Sequence, residues 1–321
     1  MVGSMNRRPL TALLAVSLLA VPLAGCASGS GAPSDDASAS SSGGGTLEVV
    51  ASTDVYGDIA QQIGGDDVKV TSIIDSPDKD PHEYQATSRD QLALSTADVV
   101  IQNGGGYDDF VDTMIKALPG GKSPVLLNAA DISGYDQKPA EGEFNEHVWY
   151  DMPTMKKLAE EIEQAFSKAD SAGAATFEAN EQAFTAKLDA IADAEAAAKP
   201  AGTGKGVAIT EPVPLYMTSA MGLENRTPDE FSEAVEEGTD VPADVLKETL
   251  ALFSEKKVAA LVYNSQTTGA TTDQVVAAAK AAGVPVVPVT ETLPADLPAG
   301  SGYVEWMTEN VDAVASAIRG S

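Results

Sequence analysis

The sequence is poor in cysteine and in basic residues. Its one cysteine, Cys26, cannot form an internal disulfide. It has 20 Lys and Arg against 48 Asp and Glu, so the formal net charge is −28. An acidic excess of this size argues against nucleic acid as a partner, because phosphate binding needs a basic surface. The same charge favours solubility in an exported protein and would also attract cations.

The N-terminus has the layout of a secretory signal. Arg7 and Arg8 precede an apolar run from about Leu10 to Leu23, which is too short for a mature membrane span. The run ends in "LAGC", which looks like a bacterial lipobox, where the cysteine becomes the first mature residue and carries lipid. We therefore predict a lipoprotein signal peptide over residues 1–25 and a lipid anchor at Cys26. The alternative is an ordinary signal peptide with a chance cysteine.

Residues 26–46 consist almost entirely of Gly, Ser, Ala and Asp and offer nothing with which to build a core. This composition predicts a flexible tether. Together with the anchor, it predicts an extracytoplasmic protein held at the outer face of the cell membrane.

The remaining chain alternates short β-branched runs with helical patterns, which indicates parallel sheets covered by helices. The first alternation predicts an N-terminal α/β lobe over residues 47–172. A stretch rich in Ala, Glu and Lys then predicts a linking helix over 173–199. A second alternation predicts a C-terminal α/β lobe over 200–321. Within it, "FSEAVEEGTDVP" (231–242) is acidic and broken by glycine, which predicts a solvated loop or, alternatively, a rim of the cleft.

Four residues that can bind metal follow strands of the predicted sheets. His82 lies in the loop after the strand at 68–74, and His147 lies just before the central helical region. Glu211 and Glu291 directly follow strands of the second lobe. Ligands of open parallel sheets bind beyond the carboxyl ends of the strands, and two imidazoles with two carboxylates suit a divalent transition metal.

Each of these residues alone has a simpler explanation. A histidine in a loop is commonly just solvated, and a glutamate after a strand can cap a helix. The combination favours a site, because the chain has only two histidines and both lie in matching loop contexts.

The sequence resembles the metal-binding lipoproteins of bacterial ABC importers for zinc and manganese, also called cluster A-I or zinc-uptake solute-binding proteins. The resemblance runs from the lipobox to the last helix. It is carried by the carboxylate of Glu211 and by "DPHEYQATSRD" (80–90), "ADVVIQNGGGYDDFVD" (97–112) and "NEHVWYDMPTMKKLAEEI" (145–162). It implies an α/β fold of two Rossmann-like lobes joined by one long helix, with the metal in the cleft between them. It also implies a monomer that delivers its ion to an ABC permease.

The resemblance also implies roles for individual residues. His82 and His147 match the two imidazole ligands of the N-terminal lobe, and Glu211 matches the third ligand. Glu291 matches the fourth, which is usually aspartate, and Glu83 is an alternative oxygen donor. The histidine-rich loop that some zinc members carry is missing from residues 128–146.

The implied cargo is Zn²⁺ or Mn²⁺. Carboxylates suit manganese better than a third histidine would, yet intrinsic affinity ranks zinc above manganese at such a site. Ligands bind deprotonated, so affinity is expected to fall as pH drops through the histidine range.

The sequence also bears on three other functions, a metallohydrolase, an adhesin and a nucleotide-binding protein. A secreted metallohydrolase would need an open coordination position and a general base, whereas four protein ligands close the site and the sequence has no HExxH. An adhesin activity is compatible with the sequence as a second role. The glycine-rich "NGGGYDDF" (103–110) lacks GxGxxG and a Lys-Ser/Thr pair, which argues against a nucleotide site. We predict that the protein is not an enzyme.

Overall fold

A computed structural model describes residues 45–79, 81–82, 84–120, 123–140 and 142–320, all within one unit, Ser42–Ser321. The predicted signal peptide, the anchor Cys26 and the tether up to residue 44 lie outside the described residues, as does Glu83. In the described part, no helix combines the length and apolar character needed to cross a membrane.

The N-terminal half builds one parallel sheet. Its strands run in the order β2-β1-β3-β4, and each is followed by a helix or a loop that returns over the sheet. The elements are β1 (Leu47–Thr53), α1 (Asp54–Gly64), β2 (Val68–Ile74), α2 (Ser88–Thr96), β3 (Val99–Gln102), α3 (Asp109–Lys116), β4 (Val125–Asn128) and α4 (Ala129–Ser133). The carboxyl ends of these strands therefore point to one edge, from which the loops carrying the candidate ligands leave.

Two helices follow and lead into the second half. A 3₁₀ turn at Val148–Tyr150 precedes α5 (Met152–Ala169), and α6 (Ala174–Gly202) covers the segment predicted as a linking helix. At 29 residues, α6 is about 44 Å long. It continues through Pro200, three residues beyond the predicted end.

The C-terminal half builds a second parallel sheet with the order β6-β5-β7-β8, which repeats the topology of the first. Its elements are β5 (Gly206–Ile209), α7 (Leu215–Ala220), β6 (Glu224–Asn225), α8 (Asp229–Glu236), α9 (Ala243–Ser254), β7 (Ala260–Asn264), α10 (Ala270–Ala281), β8 (Val286–Val289) and α11 (Tyr303–Arg319). The predicted α/β fold with two lobes is confirmed. The exact lobe boundaries, 47–172, 173–199 and 200–321, remain a prediction.

Helix α8 occupies a segment that was not predicted to be helical. The segment 231–242 was predicted as a solvated loop or, alternatively, a rim of the cleft, because it is acidic and contains glycine; its first half completes an eight-residue helix, and residues of this segment line the cleft. Phe231 and Val235, one turn apart, are both buried. Their burial against the second sheet outweighs the polar composition of the rest of the segment.

One apolar core extends through both halves. The same cluster of buried side chains contains Val49 and Ile101 from the first sheet and Val207 and Val262 from the second. The last helix, α11, returns toward the first half, where the Tyr303 hydroxyl donates to the Trp149 carbonyl at 2.5 Å. The two sheets are thus connected by packing as well as by α6.

A buried carboxyl on α6 predicts a pH-dependent stability. Glu195 is 5% exposed, and its Oε1 makes no hydrogen bond among the described residues. Burial, and secondarily the charge of Asp151, raises the pKa of Glu195 from 4.5 to about 8. Because the pKa is raised in the folded state, the contribution of the neutral Glu195 carboxyl to stability is fully present below pH 4.5. This contribution is lost as the pH rises through about 8.

Glu195→Gln is therefore expected to stabilise the protein by about 1–3 kcal/mol at pH 9 and to have little effect near pH 4.5. Urea unfolding of both proteins at several pH values measures this difference. Glu178→Gln, at an exposed position on the same helix, is the matched control. An equal effect of Glu195→Gln at both pH values would contradict the assignment.

Candidate metal centre

The glycine-rich loop after β3 supports one of the candidate ligands. Gly104 and Gly105 have φ values of 75° and 69°, in the left-handed region that favours glycine. A Cβ on Gly105 would lie 2.6 Å from the Phe144 ring, so the loop passes directly against the segment that leads to His147. Asn103 Nδ2 donates to the Glu146 carbonyl at 3.0 Å, and this hydrogen bond holds the segment next to the loop.

Asn145 sets the protonation of the His147 ring. The Asn145 Nδ2 donates to the Pro212 carbonyl at 3.2 Å, so its Oδ1 must be the atom that faces His147 Nδ1 at 2.7 Å. Because Oδ1 can only accept, Nδ1 carries the proton and Nε2 presents its lone pair. The side chain is fully buried, and burial, with a smaller contribution from His82, lowers the pKa of His147 well below 6.5. The ring is therefore neutral, in the form that binds metals.

The lone pair of His147 points at a carboxylate that the sequence analysis did not single out. His147 Nε2 lies 3.4 Å from Glu236 Oε1, and neither atom has a hydrogen-bond partner among the described residues. His82, which is exposed, His147 and Glu236 each offer a donor atom, and the three atoms lie within 4.8 Å of one another. The signal that could have pointed to this helix is the spacing of Phe231 and Val235, four residues apart, which is typical of one apolar helical face.

The two predicted carboxylates of the second lobe are held together by Asn264. Glu211 and Glu291 are 2% and 6% exposed. Asn264 Nδ2 donates to Glu211 Oε2 at 2.8 Å and to Glu291 Oε1 at 2.6 Å. Its Oδ1 accepts from the Gln266 backbone N–H at 3.0 Å, which fixes the amide with its donor end toward the carboxylates. Asn264 belongs to "YNSQTTG" (263–269), the segment directly after β7.

Tyr107 connects the histidine pair with the carboxylate pair. Its hydroxyl donates to Glu291 Oε2 at 3.2 Å. Its ring lies 5.0 Å from the His82 ring and 6.0 Å from the His147 ring, measured between centroids. The structure therefore places His82, His147 and Glu291 around Tyr107, and Asn264 joins Glu211 to Glu291. Their role as metal ligands remains a prediction.

A second contact joins the rims of the cleft. Gln266 Nε2 donates to the Pro77 carbonyl at 3.0 Å, and Pro77 belongs to the loop that carries His82. Gln266 Oε1 accepts from the Thr292 backbone N–H at 3.0 Å, next to Glu291. One side chain thus fixes the His82 loop relative to the carboxylate that ends the last strand.

The cleft is strongly acidic. Its volume is about 710 Å³, and its acidic lining consists of Glu143, Glu146, Asp229, Glu233, Glu236 and Glu237. Burial raises the pKa of Glu146 to about 7. Burial, and then the neighbouring carboxylates of Glu146, Glu211 and Glu291, raises the pKa of Glu236 to about 9. A divalent cation in this cleft would relieve the repulsion among these groups.

Comparison with known proteins points to a family. Residues 49–317 match the family model described as zinc-uptake complex component A, periplasmic. The manganese-binding lipoprotein MntA of Bacillus subtilis is 31% identical over 177 residues, or 55% of this chain and 55% of that protein. The metal ABC transporter substrate-binding lipoprotein ScbA of Streptococcus cristatus is 27% identical over 254 residues, or 72% and 79% of the two chains. The alignment with MntA therefore spans about half of that protein's length.

Solved structures share the fold. The periplasmic zinc-binding protein TroA of Treponema pallidum superposes with a TM-score of 0.69 at 22% identity, over 86% of this chain and 99% of TroA. The solute-binding protein FpvC of Pseudomonas aeruginosa, in complex with Mn²⁺, gives 0.71 at 22% identity, over 86% and 99%. Since the family model covers nearly all of the described residues, the chain belongs to the family of zinc-uptake complex component A.

Proposed function

We propose that the protein binds a divalent transition-metal ion in the cleft between its two lobes and delivers it to an ABC permease for uptake. The observation that carries this proposal is the Nε2 atom of His147. It is buried, its ring is neutral, and its lone pair faces a cleft lined with carboxylates. We propose His82, His147, Glu211 and Glu291 as ligands of the ion.

The family match supports ion capture over the metallohydrolase alternative, and we propose no catalytic step. Relatives are named for different metals, as MntA is for manganese and TroA is for zinc. We propose Zn²⁺ or Mn²⁺ as the cargo. The mixed set of imidazoles and carboxylates accepts both, and the intrinsic order of affinities places Zn²⁺ above Mn²⁺.

We further propose that the protein works as a monomer attached to the outer face of the cell membrane through lipidated Cys26. Support comes from the "LAGC" pattern, and from relatives such as ScbA whose names describe lipoproteins of ABC transporters. A tether from residue 26 to residue 46 would let the metal-binding domain reach the permease.

The mature domain is expected to bind one Zn²⁺ or Mn²⁺ per chain, as counted by native mass spectrometry. An ion present at about 1,000 times its Kd should raise the free energy of unfolding by about 4 kcal/mol, because it binds only the folded state. Mg²⁺ is the control, since imidazoles suit it poorly. No stabilisation by either transition metal, or equal stabilisation by Mg²⁺, would overturn the proposed function.

A further inference from the structure

We propose that Glu236, at the end of α8, is a direct ligand of the captured ion, in addition to the four residues predicted from the sequence. This inference rests on the proposed function. It adds a carboxylate from a helix that neither the strand-end pattern nor the family motifs include.

His147 Nε2 and Glu236 Oε1 face each other. The proton of the neutral His147 ring is on Nδ1, where Asn145 accepts it, so Nε2 has no proton to donate. Neither Nε2 nor Glu236 Oε1 has a hydrogen-bond partner among the described residues. A cation bound between the two atoms would satisfy both of them.

The distance between His147 Nε2 and Glu236 Oε1 also fits two donors to one ion. Zinc binds imidazole nitrogen and carboxylate oxygen at about 2.0–2.2 Å, and its shell can expand from four to five donors. In a five-coordinate shell, two donors that are each about 2.1 Å from the ion lie about 3.0 Å apart at an angle of about 90° and about 3.6 Å apart at about 120°. The His147 Nε2 and Glu236 Oε1 atoms are 3.4 Å apart. The distance between these two atoms is therefore one that two donors to the same ion would have. His82 supplies a third donor atom within 4.8 Å of both.

Glu236 lies at the carboxyl end of its helix. It is the last residue of α8, where the free carbonyls carry a partial negative charge that disfavours a carboxylate. Phe231 and Val235 anchor the helix in the core, so Glu236 is held at this position by packing. A carboxylate fixed at the negative end of a helix in an acidic cleft is stabilised by a cation.

Glu236 and Glu291 differ in how their carboxylate oxygens are hydrogen-bonded. Glu211 and Glu291 both accept hydrogen bonds from Asn264, and Glu291 also accepts one from Tyr107. Glu236 Oε1 has no such bond among the described residues. Glu236 can therefore meet the ion without first giving up a hydrogen bond at that oxygen.

The test uses Co²⁺ in place of the natural ion, because its visible absorption reports the donor set and geometry directly. Glu236→Gln is compared with Glu230→Gln, which removes one charge from an exposed position on the same helix, outside the lining of the cleft. We expect Glu236→Gln to change the Co²⁺ spectrum and to weaken Zn²⁺ binding at least about tenfold, since even outer-shell groups are worth that much. Glu230→Gln should leave the spectrum unchanged.

An unchanged Co²⁺ spectrum in Glu236→Gln overturns the inference, even if the affinity falls, because a remote charge alters affinity without altering the donor set. If His147→Ala changes that spectrum while Glu236→Gln does not, the proposed function stands and only this inference fails. If the wild-type protein binds neither Co²⁺ nor Zn²⁺, both fail together.

Discussion

Replacing His147 with alanine is expected to weaken Zn²⁺ binding by more than about 100-fold, because loss of an outer-shell group alone costs about 10–100-fold. The ring is buried, and its tautomer is fixed by Asn145, so the wild-type ligand is already oriented before the ion arrives. The variant loses the donor and this preorganisation together. A competition titration against a chelator of known affinity measures the change.

His82→Ala provides an informative comparison. His82 is exposed in its loop, so ordering its side chain costs entropy that His147 does not lose on binding. We expect the His82 variant to lose less affinity than the His147 variant, and the double variant to lose the most. Lys138→Ala, at an exposed position away from the cleft, controls for alanine substitution. Wild-type affinity in the double variant would show that the histidines are not ligands.

Asn264→Asp is expected to lower the free energy of unfolding of the metal-free protein by about 3–5 kcal/mol at pH 8, as breaking a buried charged arrangement does. The wild-type amide donates to two buried carboxylates, at 2.8 and 2.6 Å. A third carboxylate at that position replaces both hydrogen bonds with repulsion. Zn²⁺ should restore part of the loss, because the ion neutralises the added charge. Urea unfolding with a chelator and with Zn²⁺ measures both effects.

Asn264→Ala separates repulsion from the loss of hydrogen bonds. It leaves two buried acceptors without this donor, at about 1–3 kcal/mol each, and adds no charge. We expect Asn264→Asp to be the less stable of the two variants without metal and to gain more from Zn²⁺. If the two variants have the same stability and the same response to Zn²⁺, Asn264 does not control repulsion between the two glutamates.

Much of the fold follows from the sequence because its strands are short and rich in β-branched residues, and the central strands β1, β3, β5 and β7 are buried on both faces almost throughout. β2 was predicted residue for residue, at 68–74. The two-residue strand β6 is too short to leave a pattern. The helix α6 was predicted to stop at Lys199 because proline disfavours helix interiors, yet it continues to Gly202.

The placement of the candidate residues was predictable only where it is tied to strand ends. His82, His147, Glu211 and Glu291 follow strands or precede the central helices, so topology alone places them near one edge. Glu236 ends a helix that a polar composition concealed. The role of Asn145 depends on a contact with Pro212 that is 67 residues away in the chain. Side-chain contacts of that range leave no trace in local spacing.

The apolar core that runs through both lobes limits how the ion can leave. Moving the sheets apart would carry buried side chains such as Trp149, Val213 and Met217 toward water. Each large apolar side chain exposed in this way costs about 1.5–3 kcal/mol, and the whole stability of a typical protein is only about 5–15 kcal/mol. Under the proposed function, we therefore expect release to proceed by local rearrangement at the rim, in the His82 loop or at α8, so that a permease would not have to separate the two sheets.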